Sequence, residues 1–196
     1  MKNSASRIGI FGGTFDPPHV GHLIIAEQAR EQLSLDKVLF VPAHVPPHKK
    51  GSATASPHER LTMTKRALVG IPAFQASSIE IGRKGVSYTV DTLRQLTIQY
   101  RKAKLFLIVG GDNFTQFGSW KSSDEILRLA TPAVYSREGS LPARWSHHRY
   151  HVVRLRGALL NISSTLIRQR LKNGESIRFL VPPSVERYIK LHKLYT

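Results

Sequence analysis

The sequence contains no cysteine, which excludes a disulfide framework and any thiolate metal site. It is also poor in acids: 13 Asp and Glu stand against 29 Lys and Arg, for a formal charge of +16. No apolar run approaches the roughly 18 residues needed to span a bilayer. Residues 1–7 are short and polar, and the apolar run 8–11 stops at Gly12-Gly13, so no signal peptide is expected. There is no internal repeat and no low-complexity tract. A soluble, cytoplasmic protein with no membrane partner is expected.

What is present is an ordinary globular balance, 41% hydrophobic and 21% charged over 196 residues, enough to bury a core. That length favours one domain, or one with a small appendage. The basic excess attracts polyanions in general and narrows the ligand to something anionic. The basic, aromatic run Arg144-Trp145-Ser146-His147-His148-Arg149-Tyr150 raises a nucleic-acid-binding module as one reading, which predicts steeply salt-dependent oligonucleotide binding. That reading leaves the phosphate motifs described below unexplained, so no nucleic acid is expected. His44, His58, His147, His148, His151 and His192 are taken as surface residues.

Hydrophobic periodicity alternates between strands and helices. Strands are expected over 7–11, 37–41, 74–81, 104–109, 132–136 and 151–155. Helices are expected over 20–33, from Ser56-Pro57-His58-Glu59 towards Val69, and over 88–100, 123–130, 164–171 and 184–191. A short helix is expected after Gly110-Gly111-Asp112, with Ser123 capping the next one. The loop 42–55, with its prolines and histidines, is too long for a mere connector. This rhythm predicts an α/β fold: a doubly wound, Rossmann-like parallel sheet with helices on both faces and a small C-terminal helical appendage. It binds its ligand at the carboxyl ends of the strands.

The densest information lies in Gly12-Gly13-Thr14-Phe15-Asp16-Pro17-Pro18-His19-Val20-Gly21-His22. Two glycines at a strand's end let the backbone approach a phosphate. The helix that follows offers unpaired N–H groups and a positive dipole end to an anion. His19 and His22 are three apart and share a face, and Gly21 between them leaves room for a nucleotide to lie against the helix. The pair suits hydrogen bonding to phosphate oxygens as charge develops. Neither has a carboxylate or cysteine placed to complete a metal site, so no protein-built metal site is expected. Far along the chain, Ile162-Ser163-Ser164-Thr165-Leu166-Ile167-Arg168 combines helix-capping hydroxyls with an arginine three and four residues on, along the same edge.

These two stretches resemble the nucleotidyltransferase superfamily, with its His-or-Thr, any residue, Gly, His motif after the first strand and its Ile-Ser-Ser-Thr-then-Arg motif later. The nearer similarity is to the nicotinate-nucleotide adenylyltransferases. It rests on the 12–19 run, Pro42 through Pro46-Pro47-His48-Lys49, Ser87-Tyr88-Thr89-Val90-Asp91-Thr92-Leu93, Gly111-Asp112 with Trp120, and Val181-Pro182 with Val185 and Tyr188-Ile189. The blocks span nearly the whole chain in family order. Gly111, where the family commonly has alanine, and 135–139, where an arginine–proline–glycine run is usual, depart from the pattern. No role is carried onto the latter.

The resemblance implies transfer of AMP from ATP to nicotinate mononucleotide in NAD biosynthesis, with deamido-NAD and pyrophosphate as products. It implies that His19, His22 and Arg168 are catalytic. Gly12, Gly13, Thr14, Lys49, Ser163, Ser164 and Thr165 join those three at ATP. Mg²⁺ would arrive with the triphosphate. Tyr88, Thr89, Asp112 and Trp120 would bind the mononucleotide: its pyridinium stacks on the Trp120 indole, and its carboxylate meets the helix start at Tyr88-Thr89. One nucleotidyltransferase domain, 1–196, is expected, with 162–196 completing the ATP site. The oligomeric state is left open, a homo-oligomer included. A related transferase acting on pantetheine phosphate would share the phosphate machinery without needing Trp120.

Overall fold

The computed structural model describes residues 5–47, 54–135, 151–157 and 160–196. Its strands are β1 (Arg7–Gly13), β2 (Lys37–Pro42), β3 (Phe74–Ala76), β4 (Lys104–Gly110), β5 (Thr131–Tyr135) and β6 (Val153–Leu155). Its helices are α1 (Val20–Gln32), α2 (Pro57–Ala67), α3 (Ile79–Arg83), α4 (Thr89–Gln99), α5 (Gly111–Phe114), α6 (Ser123–Leu129), α7 (Ser164–Lys172) and α8 (Pro183–Leu191). The strands form one sheet in the order β3-β2-β1-β4-β5-β6, and the β1–β4, β4–β5 and β5–β6 pairings are parallel. This is the doubly wound order, and it reverses between β1 and β4, the kind of point at which such sheets bind ligands beyond their carboxyl ends. Among the described residues, no helix is long and apolar enough to cross a membrane.

The chain divides into two compact units. Unit 1 comprises Met1–Gly12, Ile25–Leu39 and Tyr88–Ala158; unit 2 comprises Gly13–Ile24, Phe40–Ser87 and Leu159–Thr196.

In unit 1, β4 is buried along nearly its whole length, the continuous apolar pattern of a parallel central strand. Gly9 on β1 permits close packing, since a Cβ there would meet Leu35 Cδ1 at 2.8 Å and Ile108 Cδ1 at 3.0 Å. Helices α4 and α6 are clamped by Arg94, which gives Nε to Glu125 Oε1 (2.7 Å) and Nη2 to Glu125 Oε2 (2.6 Å). Ser123 lies inside α6 rather than capping it. The cap is Ser122, in the left-handed region at φ 54° and without a side-chain cap bond; Asp124 and Glu125 occupy the first turn, where they suit the dipole.

In unit 2, Ala55, Met63, Ala67, Ile167, Ile177, Val181, Val185, Tyr188 and Ile189 form one apolar cluster. α8 supplies Val185, Tyr188 and Ile189, at the i, i+3, i+4 spacing of a one-sided helix. α2 begins with the expected capping box: Glu59 N–H donates to Ser56 Oγ (3.3 Å) and Ser56 N–H to Glu59 Oε2 (2.7 Å). The strand expected over 74–81 is a correction. It ends at Ala76, and Ile79–Arg83 is helical. Ser77 Oγ accepts from Ile79 N–H (3.4 Å), a local turn bond that competes with strand pairing. Glu80 and Ile81 are then both buried, which two-residue alternation forbids.

Candidate active site

All the described residues of the phosphate motifs from Gly13 onward lie in unit 2. β1 continues through Gly12 and Gly13 instead of ending before them. The two glycines have different reasons. A Cβ on Gly12 would meet nothing within 4 Å, whereas one on Gly13 would press on the Phe15 ring at 3.0–3.2 Å. Phe15 sits at φ 51° and is buried, its ring 5.0 Å from that of His22 and 5.7 Å from that of Phe40. A bulky residue adopts left-handed backbone only where its surroundings compensate, and here that compensation is a buried aromatic anchor for the loop.

His19 and His22 come together at the start of α1. Their rings stack with centroids 3.6 Å apart at 25°. His19 N–H donates to His22 Nδ1 at 3.1 Å, so the neutral His22 ring carries its proton on Nε2. His19 Nδ1 is buried and has no hydrogen-bond partner among the described residues. Gly21 makes the stack possible: a Cβ there would stand 3.1 Å from His19 Nδ1 and 3.2 Å from Cε1. The space expected for a nucleotide at Gly21 is thus partly filled by an imidazole.

The second motif docks onto the first, although the two are 152 residues apart in the chain. Arg168 Nη1 donates to the Asp16 carbonyl at 2.8 Å, and Ser164 Oγ donates to the Pro17 carbonyl at 2.8 Å. Ser163 caps α7, its Oγ accepting from Leu166 N–H at 3.1 Å. Thr165 Oγ1 accepts from Arg168 Nη2 at 3.3 Å. The Ser164 proton is therefore spent on holding the loop rather than offered outward. Arg168 keeps 22% of its side chain exposed, enough to meet an anion.

Beneath this junction lies a buried polar cluster that carries no assignment from the sequence. Asp16, 2% exposed, accepts from Thr54 N–H (2.9 Å) and Thr54 Oγ1 (3.2 Å) on Oδ2, and from Ala55 N–H (3.2 Å) and the Tyr195 hydroxyl (2.7 Å) on Oδ1. Arg60, 1% exposed, gives Nε to Ala55 O (3.2 Å), Nη1 to Thr14 O (2.8 Å) and Nη2 to His44 O (3.0 Å). The one available signal was an arginine among the core positions Leu61, Met63 and Thr64 of an amphipathic helix, where a long charged side chain has to find partners.

Burial governs the charges. It holds His19 down to about 4 from 6.5, and it holds His22 well below 6.5, with His19 beside it as a second cause. Both rings are neutral at pH 7. An unfolded histidine gains its proton as pH falls through about 6.5, whereas folded His19 resists until about 4. Between those values the unfolded state binds more protons, so the His19 contribution is fully present above about pH 7 and declines as pH falls, by at most about 1.4 kcal/mol per pH unit. Thermal unfolding followed from pH 7 to pH 5 should show this loss, and His19→Gln should flatten it. An unchanged slope in the variant would remove His19 as its source.

The residues expected at the acceptor lie in unit 1. Tyr88 is the N-cap of α4 and Thr89 its first residue, with no side-chain cap bond, so Thr89 is not the cap. Lys121, which lies in none of the motifs, places Nζ 4.5 Å over the Tyr88 ring and 3.1 Å from Asp91 Oδ2. Trp120 is half-buried, 5.4 Å from the Phe117 ring. Asp112 is exposed on α5, where its carbonyl accepts from Thr115 Oγ1 at 2.6 Å. Lys49 lies outside the described residues, as do the basic residues 144–150.

A profile of the cytidylyltransferase-like family matches residues 10–170. A probable nicotinate-nucleotide adenylyltransferase of Halalkalibacterium halodurans is 43% identical over 190 residues, covering 96% of this chain and 91% of the relative. Its counterparts in Shouchella clausii and Salinibacter ruber are 43% and 42% identical over 189 residues, covering 96% of this chain in each case. The chain belongs to the nicotinate-nucleotide adenylyltransferases of the cytidylyltransferase-like family. Two structures of the nicotinic acid mononucleotide adenylyltransferase of Plasmodium falciparum, one complexed with NaAD and one with APC, match with TM-scores of 0.79 and 0.77 over 97% of both chains. At 17% identity they share its fold. Membership of this family makes the chain a nucleotidyltransferase, an enzyme of a class that works on ATP and generally with a divalent metal.

Proposed function

We propose that the chain transfers AMP from ATP to nicotinate mononucleotide, giving deamido-NAD and pyrophosphate, with His19, His22 and Arg168 as the groups that meet the phosphates. The observation that carries the reading is the pair of 2.8 Å bonds from Arg168 and Ser164 to the Asp16 and Pro17 carbonyls. Those bonds bring the arginine motif and the histidine motif to one loop, so a single triphosphate can engage both.

An oxygen of the mononucleotide's 5′-phosphate attacks the α-phosphorus of ATP. The bond from that phosphorus to the bridging oxygen breaks, and its electron pair leaves on pyrophosphate. The attacking phosphate is already anionic at pH 7, so no general base is needed. Positioning and charge stabilisation supply the rate. His22 offers its Nε2 proton to a phosphate oxygen, and the unpartnered Nδ1 of buried His19 offers a second polar contact. Arg168 adds a fixed positive charge. Gly12, Gly13 and Thr14 line the α-phosphate with backbone, and the N-terminal edge of α7 at Ser163, Ser164 and Thr165 faces the same anion. Lys49 keeps the phosphate role that the family motif gives it. Residues 162–196 complete the ATP site within one catalytic domain.

A divalent ion, Mg²⁺, belongs to the nucleotide in this reading. Among the described residues there is no group of three or more His, Cys, Asp or Glu able to hold a metal, and the Asp16 carboxylate oxygens are taken by Thr54, Ala55 and Tyr195. When present, the ion neutralises the phosphates while keeping waters of its own.

On the acceptor side, Trp120 stacks the pyridinium and Asp112 holds a hydroxyl. The positive end of α4 at Tyr88-Thr89 favours a carboxylate over an amide, and Lys121 adds a cation beside it. A coupled pyrophosphate-release assay tests this with ATP and three acceptors: nicotinate mononucleotide, nicotinamide mononucleotide and phosphopantetheine. The expected result is a kcat/KM for the acid at least about tenfold above that for the amide, the scale of one charge-assisted hydrogen bond, with no turnover of phosphopantetheine. Preference for the amide would overturn the carboxylate assignment. Nucleotide substrates suit a cytoplasmic setting.

A further inference from the structure

We infer that Tyr195 is a positioning residue for the transfer reaction, acting through Asp16 to fix Arg168. The inference rests on the proposed role of Arg168 at the phosphates and adds a residue that no motif of the sequence contains.

The geometry forms a short relay within unit 2. The Tyr195 hydroxyl donates to Asp16 Oδ1 at 2.7 Å. Asp16 in turn receives Arg168 Nη1 on its backbone carbonyl at 2.8 Å, while its carboxylate Oδ2 lies 3.9 Å from the same nitrogen. Arg168 thus meets Asp16 twice, and Tyr195 is the side-chain hydroxyl that holds one carboxylate oxygen in place. Ala55 N–H donates to that same oxygen, and Thr54 holds Oδ2 through its N–H and its hydroxyl. That loop segment precedes α2, so Asp16 joins three distant parts of the unit.

Two further observations show that Tyr195 is held there at some cost. Its backbone lies at φ 67°, with Lys193 at φ 50°, left-handed conformations that ordinary side chains adopt only under constraint. Leu194 and Tyr195 also pack against the apolar cluster of α2, α7 and α8. The turn is anchored by Leu194 N–H donating to Ile189 O at 3.1 Å. A tyrosine needed only for packing would not require its hydroxyl on a buried carboxylate. Burial first, and then the Asp16 bond, push the phenol up from its ordinary value, so the hydroxyl keeps its proton and remains a donor.

An arginine that stabilises a transferring phosphoryl group works only in a narrow range of positions, and small displacements are costly. Removing the Tyr195 hydroxyl leaves Asp16 Oδ1 with the longer Ala55 N–H bond alone. The carboxylate then turns towards Arg168 and draws the guanidinium away from the nucleotide.

The test is steady-state turnover of ATP and nicotinate mononucleotide by Tyr195→Phe, made both in the wild-type background and with Arg168→Lys. In the wild-type background kcat should fall about tenfold, with KM for ATP moving by less than about twofold, because positioning in the transition state is lost rather than ground-state binding. In the Arg168→Lys background the same change should cost less than about twofold, since the relayed group is already altered. An unchanged kcat in Tyr195→Phe overturns the inference. So does an equal loss in both backgrounds, which would make the residue a prop for the fold. A wild-type protein inert towards these substrates would instead remove the functional reading, and the inference with it.

Discussion

Replacing His22 by alanine is expected to lower kcat for AMP transfer by about a hundred- to a thousandfold, the usual effect of removing one preorganised donor from a developing oxyanion. The expectation follows from where the proton sits. His19 N–H occupies His22 Nδ1, and burial keeps the ring neutral, so the ring's single polar hydrogen is on Nε2. A neutral imidazole fixed in this way needs no reorganisation when charge moves onto the phosphate oxygens. The stability cost is smaller. The variant loses one acceptor for His19 N–H, the 3.6 Å stack with His19 and the edge contact with Phe15, together about 1–3 kcal/mol. Turnover should therefore collapse while a cooperative unfolding transition persists a few degrees lower. Turnover within tenfold of wild type, in a folded variant, would show that His22 only supports its neighbour.

The sequence made the regular elements and the two candidate phosphate motifs readable because each has a local cause. The capping box at Ser56 and Glu59, the apolar run of β4 and the spacing of Val185, Tyr188 and Ile189 are short-range patterns that survive in the structure almost residue for residue. Boundaries set by tertiary bonds were less legible. β3 stops at Ala76, where Ser77 turns its hydroxyl to Ile79 N–H although its own N–H still reaches Phe40 O of the neighbouring β2. The cap of α6 is Ser122 rather than Ser123 because Ser122 adopts a left-handed backbone, which serine's composition does not announce. At the candidate site, His19, His22 and Arg168 were legible as residue types suited to an anion, but their supports were not. Asp16 stood inside the quoted motif without a role, since its partners Thr54, Ala55 and Tyr195 come from elsewhere in the chain. Gly21 read as room for a ligand, and the neighbour that needs the room is His19.

The largest stability effect is expected at Arg60. Arg60→Met keeps the length and apolar stem of the side chain but removes three donors at once. The carbonyls of Thr14, Ala55 and His44 then lose the partners they have at 2.8, 3.2 and 3.0 Å. Each orphaned buried acceptor costs about 1–3 kcal/mol. The Asp16 carboxylate also loses the cation that its charge favours. Burial disfavours a charged guanidinium, and escape from that penalty offsets part of the loss. A net destabilisation of about 3–5 kcal/mol is therefore expected, which for a chain of this length lowers Tm by about 10 °C. The consequence for function follows from which carbonyls are freed. Thr14 belongs to the loop proposed to line the α-phosphate, so measured well below its lowered Tm the variant should bind ATP more weakly although Arg60 itself is buried. Calorimetric unfolding and ATP titration of the same preparation separate the two effects. A Tm within 3 °C of wild type would mean that the three carbonyls find other donors and that the loop owes its shape to Phe15 and Asp16 alone.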